Sequence, residues 1–138
     1  MNDDSDTIKP LEHLQLMELA LRSNAVTRAC GCAVSTFAGW ERVPLSLPES
    51  QLRPIGTLME DPYGEPTYQE FHPTGTNYWS EDAPIAPHYF PCNRCTVAEC
   101  ITCGRVYLRY TEAGGYYVEQ RIRALNPLFI VDAPAPLI

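Results

Sequence analysis

The sequence predicts an α+β fold, an N-terminal helix packed on a small antiparallel sheet, and three observations predict it. Apolar residues near the start recur at helical spacing. Two runs of alternating residues flank a glycine pair near the end. A cysteine-rich turn leads straight into the first of those runs. With 138 residues, 45% of them hydrophobic and 20% charged, the chain has the size and make-up of a single domain spanning 1–138 that can bury a real core.

Residues 1–9 are polar and acidic and are expected to be disordered. Pro10 suits the first turn of a helix. Leu11, Leu14, Met17 (or Glu18) and Leu21 mark one helical face, with Leu16, Leu19 and Ala20 widening it, so the spacing predicts a helix over 10–23. The small and β-branched residues around Cys30-Gly31-Cys32 favour a bend or a strand over 25–41. Pro44, Pro48 and Pro54 leave room over 43–57 only for a short helical turn from Glu49 to Arg53. From Asp61 to Pro91 prolines interleave with Tyr63, Tyr68, Phe71, Tyr78, Trp79, Tyr89 and Phe90. That is too aromatic for a disordered linker, and an ordered irregular segment is expected.

The clearest pattern is a β-hairpin over 104–124. Val106, Leu108 and Tyr110 alternate with Arg105, Tyr107 and Arg109. Beyond Gly114-Gly115, Tyr116, Val118, Gln120 and Ile122 alternate with Tyr117, Glu119, Arg121 and Arg123. The two glycines are expected to supply positive φ in the turn. Leu128–Val131 reads as a further strand, followed by an extended tail.

Six cysteines carry the chemistry. Cys92-x2-Cys95 and Cys100-x2-Cys103 stand four residues apart, and Gly104 follows the last cysteine. The acidic N-terminus lacks the basic and apolar regions of a signal peptide, and no apolar run is long enough for a membrane helix. A soluble, cytoplasmic protein with reduced thiols is therefore expected, in which cysteines point to metal before disulfides. Thiolate is a soft ligand, and four placed tetrahedrally suit Zn2+. The stretch Cys100–Arg105 resembles the zinc knuckle of zinc-ribbon and treble-clef proteins, where a C-x2-C-G turn feeds a hairpin. That resemblance implies a structural zinc ion and a knuckle-plus-hairpin unit over 92–124. A spacing of four is short for both pairs to meet at one ion, which brings Cys30 and Cys32 into play. Cys100 and Cys103 come first as ligands and Cys95 next. The fourth place is divided between Cys92 and Cys32 (or Cys30), with His88 behind them. An iron–sulfur cluster, a redox dithiol and metal-free buried thiols are the rival readings.

Net charge is −7 and uneven. Residues 1–91 carry 13 acidic and 5 basic side chains, whereas 92–138 carry 4 and 5. The acidic part repels nucleic acid and anionic membranes and attracts a basic protein. Glu60, Asp61, Glu65, Glu70, Glu81 and Asp82 are candidate steering charges, with Tyr63, Tyr78 and Trp79 as anchors. Small size, acidity, the absence of a catalytic motif and the aromatic segment together resemble the immunity proteins that neutralise bacterial toxins. That resemblance implies an inhibitor binding a basic toxin. The competing binding reading uses Arg105, Tyr107, Arg109, Arg121 and Arg123, with Tyr117, as one face that pairs with phosphates and stacks on bases. The histidines are His13, His72 and His88. Neither a nucleophile elbow nor a phosphate loop accompanies them, so a binding protein is expected, with an enzyme using His72 or His88 as the remaining alternative.

Overall fold

A computed structural model describes residues 8–61 and 63–136, with one α-helix and a five-stranded antiparallel sheet. The disorder expected over 1–9 concerns chiefly residues 1–7, which lie outside the described residues. No helix among the described residues is long and apolar enough to cross a membrane.

The helix, α1, runs His13–Asn24 and opens with a capping box. The Gln15 carboxamide oxygen accepts the Glu12 N–H at 2.9 Å, and the Glu12 side chain accepts from the backbone of Gln15. This cap starts the helix three residues later than Pro10 suggested. Pro10 instead bridges Thr57: the Leu11 N–H donates to Thr57 O at 3.0 Å and the Thr57 N–H to Lys9 O at 3.1 Å. The buried stripe is Leu16, Ala20 and Ser23, with Leu11 and Leu19 partly buried against the same core. Leu14 and Leu21, expected on the inner face, point outward at 74% and 58% exposure. Leucines occupy two competing stripes of this helix, and packing against the sheet chose between them. Ser23 joins α1 to the sheet, its Oγ accepting the Val106 N–H at 2.8 Å. Ser23→Ala leaves that buried amide unpaired and is expected to cost about 1–2 kcal/mol in urea unfolding. An unchanged midpoint would remove this bond from the account.

The strands are β1 (Glu41–Arg42), β2 (Leu52–Thr57), β3 (Thr96–Cys100), β4 (Val106–Ala113) and β5 (Val118–Ala124), ordered β1-β5-β4-β3-β2 across the sheet. The hairpin forms as the alternation predicts. Its glycines serve another purpose than expected, since the glycines with positive φ are Gly75 and Gly104. At Gly114 the Tyr117 ring lies close, and a Cβ there would fall 2.5 Å from Cε1 unless the exposed ring swung aside. A 3-10 turn occupies Glu49–Gln51, near the expected helical turn, but the chain then enters β2, which the three prolines concealed. β2 tolerates Pro54 because it is an edge strand with a register shift between Pro54 and Gly56. The strand expected over 128–131 is a single bridge, Ile130 to Ile85.

Both faces of the sheet are covered. On the α1 side lie Leu16, Ala20, Trp40, Ile85, Cys92, Cys95, Val97, Val106, Leu108 and Tyr110. On the other lie Cys32, Phe37, Leu47, Ala98, Cys100, Cys103, Tyr107 and Ile122. The aromatic segment 61–91 has neither helix nor strand among its described residues. Some of its rings pack inward, Tyr78 stacking on Trp40 at 6.2 Å and Phe71 tilting against Tyr89 at 4.9 Å, while Tyr63, Tyr68 and Trp79 stay exposed.

Candidate metal centre

Four cysteines converge on the face of the sheet opposite α1. Each sulfur of Cys30, Cys32, Cys100 and Cys103 lies within 4.8 Å of the others. Cys30 and Cys100 are 3.7 Å apart, and Cys32 and Cys103 are 3.5 Å apart. All six cysteines of the chain are free thiols. Sulfurs bound tetrahedrally at 2.3 Å from a metal stand about 3.8 Å from one another, so the spacing already matches a tetrathiolate site. Four cysteines so placed could hold a metal ion.

Two turns present the sulfurs. Cys30-Gly31-Cys32 enters a 3-10 turn, Gly31–Ala33, with the Ala33 N–H bonded to Cys30 O at 3.0 Å. Cys100 ends β3, and the chain reverses through Thr102 and Cys103 into Gly104, whose φ of +88° suits glycine. The Gly104 N–H donates to Cys100 O at 2.9 Å, and the Arg105 N–H to the Cys103 sulfur at 3.5 Å. This is the knuckle geometry that the C-x2-C-G spacing predicted.

Cys92 and Cys95, expected among the ligands, are not part of the cluster. The residues between Cys95 and Cys100 belong to strand β3, in which successive side chains alternate faces. Cys100 lies five positions after Cys95, an odd step, so Cys95 projects to the α1 side and Cys100 to the other. Cys92 and Cys95 belong to the α1-side core. There burial pushes the Cys92 thiol up to about 11 and Cys95 well above its ordinary value. The Cys95 thiol donates to Pro91 O at 3.3 Å. Both behave as small neutral apolar groups. Cys30 and Cys32, held as substitutes for Cys92, supply two of the four sulfurs together.

Hydrogen-bond donors surround the cluster. Gln51 Nε2 lies 3.5 Å from the Cys100 sulfur and 3.7 Å from that of Cys30. The Arg105 guanidinium donates to the Cys103 sulfur at 3.4 Å, and the Tyr107 hydroxyl meets the Cys32 sulfur at 3.2 Å. Arg28 donates to Thr102 O at the rim. Burial acts to raise Cys100, yet the amides of Cys103 and Thr102 and the Gln51 carboxamide together bring it down to about 6. Burial raises Cys32. A four-thiolate site carries a formal excess of negative charge around a divalent ion, and the arginine and amide donors offset it. No local pattern in the sequence marks Gln51 or Arg28 for this role; both reach the site only through tertiary folding.

The arginine face expected on the hairpin does not form. Leu108 pairs with Arg123 and Tyr110 with Arg121, while Tyr107 pairs with Ala124 and Arg109 with Ile122. Cross-strand partners share a face, so Arg121 and Arg123 lie opposite Tyr107 and Arg109. Arg123 is 1% exposed and donates to the carbonyls of Ala38 (2.9 Å), Glu81 (3.2 Å) and Ala83 (2.7 Å). Arg121 is buried against Glu119 (2.8 Å) and the Tyr78 hydroxyl (2.9 Å), and Tyr107 is 2% exposed. Tyr78, expected as a surface anchor, is half-buried between Trp40 and Arg121. Glu60, Asp61, Tyr63, Glu65, Glu70, Trp79, Glu81 and Asp82 are exposed. His72 bonds Thr76 Oγ1 and Glu70 Oε1, each at 2.7 Å, and His88 meets Glu60 at 2.8 Å. No family model matches this chain, and neither a curated protein nor a solved structure matches it.

Proposed function

We propose that the chain is a zinc-stabilised binding module that neutralises a basic protein partner in the manner of an immunity protein, and that it is not an enzyme. Zinc is the ion that four thiolates at tetrahedral spacing suit best. A closed tetrathiolate site leaves no open position for water. Its contribution is to tie the segment around Cys30 to the turn after β3 across one sheet face.

The observation that carries the binding reading is the segment 60–82. It holds six carboxylates and neither lysine nor arginine. All six carboxylates are exposed, and so are Tyr63 and Trp79 beside them, at 96% and 59%. A surface of one sign with exposed rings steers an oppositely charged protein and then anchors it. The arginines that a nucleic-acid face needs are, in the case of Arg121 and Arg123, consumed in the core.

The test has two arms. Purified protein is expected to carry one zinc per chain by elemental analysis. A basic toxin encoded beside its gene is expected to bind and lose activity, with the association rate falling about tenfold at low salt when Glu81→Gln and Asp82→Asn are combined, and less at high salt. Absence of any basic partner at micromolar concentration, or an association rate indifferent to those changes, sinks the binding reading.

A further inference from the structure

The cysteine cluster is divided in a way that holding an ion does not require. The Cys30 and Cys100 sulfurs are 3.7 Å apart, and Gln51 Nε2 lies beside both, at 3.7 Å and 3.5 Å. The Cys32 and Cys103 sulfurs are 3.5 Å apart, with the Tyr107 hydroxyl against the first and the Arg105 guanidinium against the second. Each pair takes one sulfur from the turn at Gly31 and one from the turn after β3, across 70 and 71 residues of chain. Accessibility singles out one of the four. Cys32, Cys100 and Cys103 are buried, at 0%, 1% and 8% exposure, whereas Cys30 is only partly covered.

We propose that the cluster is a redox-switched tie, in which a peroxide exchanges the ion for two disulfides, Cys30–Cys100 and Cys32–Cys103. The proposal rests on the reading of the cluster as a metal site and adds how that site is regulated. A disulfide holds its sulfurs at about 2.05 Å, so each pair has to close by about 1.5 Å, the scale of a side-chain rotation. Bridging across the turns leaves the backbone of both as it is, with the Ala33 N–H on Cys30 O and the Gly104 N–H on Cys100 O. A bridge between Cys30 and Cys32 has only Gly31 to bend through, and the bond from Ala33 to Cys30 O already fixes that stretch. A bridge between Cys100 and Cys103 would leave Cys30 and Cys32 no partner in the cluster but each other.

Cys30 is the point of entry. Its sulfur attacks one peroxide oxygen, the O–O bond breaks, hydroxide leaves and Cys30 becomes a sulfenic acid. The Cys100 sulfur, 3.7 Å away, then attacks the Cys30 sulfur. The S–O bond breaks and a second hydroxide leaves. Two thiolates have lost one electron each, and one peroxide has taken up two. Two sulfurs are too few to keep a tetrahedral ion, and Cys32 and Cys103 repeat the step with a second peroxide. Cys92 and Cys95 lie in the core on the other face of the sheet and take no part. The segment around Cys30 thus stays joined to the turn after β3 in both states, through an ion when the thiols are reduced and through covalent bonds when they are oxidised.

The experiment adds hydrogen peroxide to the zinc-loaded full chain. A chromogenic chelator follows zinc, peptide mapping without reductant finds the bridges, and urea unfolding reports stability. One peroxide per chain is expected to give chiefly the Cys30–Cys100 bridge. Two are expected to release all the zinc, form both bridges and leave two of the six thiols free, those of Cys92 and Cys95. The oxidised chain still unfolds cooperatively, at a higher urea midpoint than the reduced chain stripped of zinc. A thiol reductant with zinc restores the starting state. Bridges within a turn, no bridge at all, sulfinic acid at Cys30 in place of a bridge, or loss of cooperative unfolding overturns the tie. Any of these in a chain that binds zinc removes the switch and spares the metal site. The same two bridges in a chain that takes up no zinc do the reverse.

Discussion

Replacing Cys32 or Cys103 with serine is expected to abolish stoichiometric metal and to lower stability by more than about 4 kcal/mol, the range in which loss of a structural metal falls. Cys95→Ala is expected to keep one metal per chain and to cost about 1–2 kcal/mol, the scale of a small buried apolar group. The contrast follows from geometry. Cys32 and Cys103 are 3.5 Å apart on one face of the sheet, whereas Cys95 sits in the core on the other. Structural zinc binding in small peptides is worth ~10–16 kcal/mol at neutral pH. A whole domain is stable by only ~5–15 kcal/mol, so even partial loss is visible. The measurement is metal content by elemental analysis beside urea midpoints for both variants. Metal retained in Cys32→Ser, or lost in Cys95→Ala, would falsify the assignment of the four ligands.

The second large effect belongs to Arg123. Arg123→Met is expected to destabilise the fold by about 3–5 kcal/mol, because three buried carbonyls lose their donor at once. Burial lowers the pKa of this guanidinium, and the carbonyls of Ala38, Glu81 and Ala83 take the place of its water. One side chain thereby ties β5 to the segment before β1 and to the end of the aromatic segment. Lysine carries the charge without the fork and is expected to recover less than half of the loss. Arg42→Ala is the control. Its side chain is 77% exposed in an ion pair with Glu119, which is worth under about 1 kcal/mol. Urea unfolding of the three variants checks the order. Equal midpoints for Arg123→Met and Arg42→Ala would return Arg123 to the surface role that its place in the alternation suggested.

Arg123 also shows why the alternation misled. Each strand of the hairpin has a clear period of two, but period alone does not phase one strand against its neighbour. Phase is set by the loop, and here Ala113 pairs with Val118, leaving four residues between them. That count puts Arg121 and Arg123 beside Leu108 and Tyr110 instead of beside Arg109. The same parity decides the cysteines. By its length alone, 96–99 only makes a common ion for all four sulfurs of 92–103 a tight fit. Read as β3, it sends Cys95 and Cys100 to opposite faces. The β-branched pair Thr96-Val97 favoured a strand there.

By itself the sequence determined the local structure with strong periodic or chemical signals. These are the helix within a residue or three, the hairpin, the knuckle at Cys100–Gly104 and the suitability of its thiolates for a metal. Such features depend on contacts a few residues long, where spacing and side-chain chemistry leave few alternatives. Only the tertiary structure decided which leucines of α1 face inward, that β2 joins the edge despite Pro54, that Cys30 and Cys32 complete the cluster, and that Gln51 and Arg123 serve the interior. Those outcomes depend on which face of a sheet a residue meets and on what arrives from far along the chain. A shift of one residue in pairing exchanges the two faces, and nothing within a single strand records it.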